Sequence, residues 1–226
     1  MRFVPVTPDR LIEELAGWID GLQAEHPVVG FDGAAEVGAA TLADAVAGRV
    51  RALGRPVVRV STGWWWRPAS LRLELGRTDL DMLLSGWVDT AALRRELLDP
   101  LRPGGSGWYL RRLRDPQTDR SLREERVRAA PRSVVLLDGP FLRASGLGID
   151  TAGLRGTVYL QVSTSTLFRS LPSDRRWWVE AFERYRDEDR PAGSATAVVA
   201  YDHPAAPAIA WRREPEGDSD HPSHLR

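Results

Sequence analysis

The sequence predicts an α/β fold, a parallel sheet of about five strands with helices on both faces. Two observations predict it. Short runs rich in Val and Leu recur along the chain, separated by stretches with a helical apolar period, at intervals of about 25 to 40 residues. The first run, residues 28–32, ends in a Gly-x-x-x-x-Gly turn from Gly33 to Gly38, and an Ala-rich helix follows. Strand, glycine turn and helix in that order form the scaffold of a phosphate-binding loop, where backbone N–H groups at a helix N-terminus face an anion. The 226 residues suit one domain, 1–213, followed by a polar tail at 214–226 that is expected to be flexible.

Each element has its own signal. Residues 8–25 carry Leu11, Ile12, Leu15, Ala16, Ile19 and Leu22 on one stripe, which predicts a helix closed by Pro27. Residues 28–32 read as the first buried strand, and 41–53 as the helix after the turn, stopped by Gly54. Val57, Val58 and Val60 mark a second strand over 55–62. Residues 67–84 are mixed and partly helical. A helix over 90–101 is capped by Asp89 or Thr90 and closed by Pro103, Gly104 and Gly105. Residues 108–114 alternate as a strand or hairpin arm. Val-Val-Leu-Leu predicts a strand over 133–138, and Val-Tyr-Leu-Gln-Val another over 157–162. Residues 164–187 are helical with a break near Pro172, and 195–201 form the last strand. Ligands in such sheets bind at the carboxyl ends of strands, which singles out 33–41, 63–67, 138–143 and 163–176.

Composition narrows the function. With 31 basic and 31 acidic side chains the net charge is zero, so no global field draws the chain to nucleic acid or to a membrane. Every basic side chain is Arg; Lys, Asn and Cys are absent. Without Cys there is no disulfide and no thiolate nucleophile, and no metal site is expected. No apolar run approaches the roughly 18 residues of a membrane span, and residues 1–25 are amphipathic, so a cytoplasmic protein is expected.

The missing lysine matters most at the glycine turn. After the second glycine, a P-loop has Lys for the β/γ-phosphates and Ser or Thr for Mg²⁺. Here those positions are Ala39 and Ala40. A coding bias toward Arg would replace Lys by Arg, not by Ala. Thr41 follows and could partly stand in for the hydroxyl. Backbone N–H groups and the helix dipole from Gly38 to Thr41 remain. No cofactor is therefore expected, while weak binding of ATP with Mg²⁺ stays open.

The order of motifs is specific. The glycine-turn strand is followed by Gly-Arg-Pro-Val (54–57), Leu-Arg-Arg-Glu-Leu-Leu-Asp-Pro-Leu (93–101), Val-Val-Leu-Leu-Asp-Gly-Pro-Phe-Leu (134–142) and an Arg-rich late helix. Over residues 28–209 this resembles the uridine kinase-like nucleoside kinases of the P-loop kinases, in their actinobacterial branch. The resemblance implies transfer of a γ-phosphate from a nucleoside triphosphate to a hydroxyl of a small acceptor. It carries over unevenly. Gly33 and Gly38 match the loop glycines, and Ala39 and Ala40 replace the lysine and the metal-binding hydroxyl. Gly63-Trp64-Trp65-Trp66 stands where the family has an Asp-Asp-Phe-type motif, although Arg67-Pro68 matches. The implied acceptor pocket is thus Trp64, Trp65, Trp66 and Arg67. Asp138 is retained at its strand end, and Asp89 stands ahead of its helix, where it would face the acceptor. Arg169, Arg175 and Arg176 fall on the lid that clamps phosphate.

Phosphoryl transfer depends on positioning and on charge stabilisation. Losing one such stabiliser costs roughly 3 to 4 kcal/mol, so losing lysine, hydroxyl and base together leaves little activity. The leading expectation is a catalytically degenerate, pseudokinase-type protein that binds a small ligand or a protein partner. The alternatives are an active phosphotransferase working through Asp138, Asp89 and the arginines, and a repurposed enzyme that uses the acceptor pocket without ATP. Three adjacent indoles cannot share one face. They read as a plug, a homodimer contact or a platform for a flat ligand. Trp177 and Trp178 are expected to pack on the sheet, His203 to sit in a loop, residues 186–190 to be a solvated helix end, and His221 and His224 to lie in the tail.

Overall fold

The computed structural model describes residues 1–149 and 153–212; the tail expected at 214–226, with His221 and His224, lies outside them. In chain order the strands are β1 (Val4–Pro5), β2 (Val28–Asp32), β3 (Val57–Ser61), β4 (Trp108–Tyr109), β5 (Arg114–Asp115), β6 (Arg120–Ser121), β7 (Val127–Arg128), β8 (Val134–Gly139), β9 (Leu154–Gln161), β10 (Ala197–Ala200) and β11 (Ala208–Trp211). The helices are α1 (Pro8–Asp20), α2 (Ala39–Ala52), α3 (Ala69–Arg72), α4 (Thr90–Leu93), α5 (Thr164–Ser170), α6 (Trp178–Glu188) and α7 (Pro191–Ser194). No helix among the described residues is long and apolar enough to cross a membrane.

The main sheet runs β1-β11-β10-β9-β2-β8-β3. The strands from β10 to β3 are the parallel ones expected; β11 and β1 add to one edge antiparallel. Sequence reading misses these two. β1 is two residues long and contains Pro5, and β11 is Ala-Ile-Ala-Trp, so neither has the β-branched run that marks a strand. Strand alternation feeds two core layers. Val29, Phe31, Val134, Leu136, Val158 and Leu160 pack with Leu11, Leu15, Leu42 and Val46 of α1 and α2. Val58, Val60, Val135, Leu137, Tyr159 and Val198 face Trp65, Leu93, Leu97, Trp178 and Tyr185 on the other side.

Two helices end differently from expectation. α1 stops at Asp20, short of the expected residue 25, because buried Arg55 takes its last carbonyls. Arg55 donates to Ile19 O at 3.0 Å, Asp20 O at 2.8 Å and Leu22 O at 3.2 Å, placing a cation on the negative end of the helix. The helix expected over 90–101 is α4 followed by a π-helical segment, Arg94–Leu98, and a 3₁₀ turn, Asp99–Leu101. Pro100 has no N–H to return to Glu96, whose carbonyl accepts from Leu110 N at 2.9 Å instead.

Candidate functional site

The site is the carboxyl end of the parallel strands. β2 ends at Asp32, and the Gly33 N–H donates to Gly139 O at 3.0 Å, tying the loop to the end of β8. A 3₁₀ turn, Ala35–Val37, leads to Gly38 at φ 99°. A side chain is strained there, and an added Cβ would lie 3.0 Å from the Tyr201 ring. α2 starts directly after it without a capping side chain. Ala39 is fully buried, Ala40 half-buried and Thr41 exposed. A Cβ on Gly33 would meet the Ala39 methyl at 3.4 Å, so the methyl fills the inside of the turn.

The loop carries its own charge. Glu36 lies within the turn and accepts from Arg175 Nη1 at 2.5 Å. The Arg175 guanidinium also sits 5.5 Å from the Trp178 ring. The other two lid arginines go elsewhere: Arg169 donates to Thr166 Oγ1 at 3.1 Å on its own helix, and Arg176 lies 4.7 Å over Phe168. Arg175 is therefore the one of the three that the structure brings to the loop.

Asp138, at the end of β8, is 1 % exposed. Arg59 Nη2 donates to it at 2.8 Å, while Arg59 Nε reaches Asp44 on α2 at 2.7 Å and Nη1 reaches Leu136 O at 2.9 Å. Burial pushes the Asp138 carboxyl above the ordinary range, opposed by Arg59 and by a hydrogen bond to Ser61. Sequence reading misses Arg59, although an arginine inside the Val-Val-Arg-Val-Ser strand signals a charge turned toward the α2 layer. Asp89 stands next to the tryptophans through its N–H, which donates to Trp65 O at 2.8 Å. Its carboxylate caps α4 by accepting from Ala92 N at 2.9 Å.

Sequence reading misses a second acid. Asp32 has no solvent exposure and sits directly before Gly33. It accepts from Leu142 N at 3.3 Å and, by a short bond, from the Tyr185 hydroxyl. Burial pushes its pKa from 3.8 up to about 7, against these donors and the nearby Arg143. Burial and the Asp32 charge push Tyr185 and Tyr159 upward in turn. The signal was an acid closing an otherwise apolar strand. Phe141 follows β8 at φ 63°, a costly conformation for a bulky residue, held by contacts to Phe182 at 4.5 Å and Tyr185 at 5.4 Å.

The three indoles leave β3 in a 3₁₀ turn, Thr62–Trp65, and part ways. Trp65 is completely buried in the second core layer. Trp66 meets Trp87 at 5.1 Å and Trp178 at 6.3 Å, with the Arg72 guanidinium 5.0 Å from Trp66 and 4.7 Å from Trp87. The gap left between Thr62, Trp66, Trp87, Phe141 and Trp178 measures about 10 Å³, the size of a single water at most. Trp64 is half-exposed under Arg112, at 4.7 Å. With Arg59, Ser61, Arg111 and Asp138 it lines an open cleft of about 420 Å³ beside Ala40. The Arg67 N–H donates to Trp87 O at 2.8 Å and its carbonyl accepts from Arg72 Nε at 2.8 Å, so its backbone fixes the aromatic cluster.

The fold is that of a P-loop kinase, with a mostly parallel sheet flanked by helices and a glycine turn at its centre. Solved structures share it. A possible uridine kinase from Bacillus stearothermophilus superimposes with a TM-score of 0.68 at 20% identity, over 84% of this chain and 97% of its own. A candidate fructose transport system kinase from Silicibacter sp. TM1040 gives 0.57 at 19% identity, over 84% and 95%. The YGR205w protein gives 0.60 at 10% identity, over 91% and 99%. By sequence, neither a family model nor a curated protein matches the chain.

Proposed function

We propose that this chain is a uridine kinase-like protein that no longer transfers phosphate and that uses the carboxyl end of its sheet to hold a ligand or partner. The contact that carries this reading is Glu36 to Arg175 at 2.5 Å. The one lid arginine at the loop is neutralised by the loop's own carboxylate, where a phosphate would otherwise be its partner. A bound phosphate would have to displace that carboxylate; two like charges about 5 Å apart repel by about 3 kcal/mol at an effective dielectric near 20. The residues do not fit a Mg²⁺-nucleotide: the chain has no lysine, Ala40 offers no hydroxyl, and Asp138 is engaged by Arg59. The space behind Trp66 is filled, and the open part is the cleft at Trp64, Arg111 and Arg112, which is large enough for a small molecule.

Titration calorimetry with ATP and Mg²⁺ tests the reading. The wild-type protein should give no saturable binding. The triple change Glu36→Gln, Ala39→Lys and Ala40→Ser should create it, because it removes the competing carboxylate and supplies the missing donors. Micromolar binding by the wild type, or turnover of uridine that Asp138→Asn abolishes, would overturn the proposal.

A further inference from the structure

We propose that the opposite end of the sheet carries a second ligand site, for a small anionic molecule with a planar ring. The glycine turn lies at the carboxyl end of β2. At the amino ends of β2 and β8, about 15 Å away at 3.3 Å per residue, a groove of about 540 Å³ opens between the turn after Pro100 and residues 128–131 that lead into β8. A second chamber of about 270 Å³ adjoins it, and Glu25, His26 and Arg102 line both. Together they have the size of a small-molecule site.

The groove is positive in a chain of zero net charge. Arg102 and Arg128 line it, Arg155 lines the second chamber, and Glu25 is the one acid among the lining residues. Arg102 pairs with Asp99 at 3.1 Å. Arg128 and Arg155 are exposed and make no ion pair among the described residues, so their donors are available to an anion. His26 stands where the chambers meet, with its side chain 8 % exposed. Its Nδ1 lies 3.2 Å from the Ser133 carbonyl, which can only accept, so the ring proton is on Nδ1. Nε2 then faces the groove as an acceptor, with Glu25 4.0 Å away.

An indole flanks the groove, next in the chain to the lining residue Gly107. Trp108 is 49 % exposed and lies in register with Arg128 across the β4–β7 pair. Cross-strand partners share a face, so a ring can stack on Trp108 while its anionic group meets Arg128. The groove wall is held by a close backbone packing: a Cβ on Gly105 would lie 2.3 Å from Pro100 O, and the Gly107 N–H donates to that oxygen at 2.9 Å.

Calorimetry with phenyl phosphate tests the proposal on the full chain. One saturable site with a Kd below about 1 mM is expected. Arg128→Ala should weaken it about tenfold, a loss of about 1.4 kcal/mol. Trp108→Ala should weaken phenyl phosphate but leave inorganic phosphate unchanged. Phenylacetate separates the two anion chemistries: matched affinity extends the site to carboxylates, and loss restricts it to phosphates. Thr41→Asp, which puts a negative charge at the α2 N-terminus, should change nothing. Binding lost in Thr41→Asp but kept in Arg128→Ala would locate the anion at the glycine turn and overturn the proposal, as would no saturable binding at all.

Discussion

At the scale of the residue, Asp32 shows how burial can outweigh hydrogen bonding. The donors on its carboxyl, the Tyr185 hydroxyl and the Leu142 and Phe141 N–H groups, favour the anion, yet desolvation lifts the pKa to about 7. The sign of the consequence follows. An unfolded Asp releases its proton near 3.9, and the folded one keeps it until about 7, so the folded state holds the extra proton between these values. Stability should therefore fall as pH rises from about 4 to about 7 and level off above, with Asp138 acting in the same direction. Asp32→Asn keeps the shape and removes the titration. Its melting temperature, followed from about pH 4 to about pH 8, should lose most of that slope. A slope equal to the wild type would assign the titration to another group. Arg59 gives a second test, because it is the cation paired with buried Asp138. Arg59→Leu should cost about 3–5 kcal/mol in urea denaturation, since it strands a buried carboxylate. Adding Asp138→Asn should recover most of the loss, and a double variant as weak as the single one would mean that Arg59 acts through packing alone.

At the scale of the element, the tryptophan turn shows which features could be read from sequence. The adjacency of three indoles predicted that they must diverge, and they do. Where each one goes depends on partners far away in the chain, Trp87, Trp178, Leu93 and Arg112, which no local pattern contains. The same division holds elsewhere. The parallel strands announce themselves through Val and Leu runs, and the glycine turn through its spacing. The end of α1 is set by Arg55, the widening after α4 by Pro100 together with Leu110, and the Glu36 to Arg175 bridge by residues far apart in sequence. Burial of Trp65 should make Trp65→Ala cost about 3–5 kcal/mol. Trp64→Ala, at a half-exposed ring, should stay within about 1 kcal/mol. Thermal denaturation of the two single variants checks the pair, and equal losses would contradict the buried and open positions assigned to them.

At the scale of the whole molecule, the sheet has two unlike edges. β3 closes one edge with its side chains tied into α2 through Arg59. The other is closed by β1, two residues long, which pairs Val4 with Ile209 and Pro5 with Ala208, and by the Val6 N–H, which donates to Pro207 O at 3.0 Å. Proline blunts the outer side of this edge, since it cannot donate to an incoming strand. Beneath it β11 is Ala-Ile-Ala-Trp, an apolar strand with Trp211 edge-on to Trp18 at 5.7 Å. Removing residues 1–6 should cost little stability, about 1 to 2 kcal/mol for the few hydrogen bonds and side chains lost. It would, however, bare the β11 edge to another molecule. Light scattering of the truncated protein should show association that grows with concentration while the intact protein stays at one mass. Restoring a charge at the bared edge with Ile209→Lys would be too disruptive, because Ile209 is buried. Ala208→Lys, at a half-buried position, should return the truncated protein to the mass of the intact one. Association that survives Ala208→Lys would place the contact on another surface.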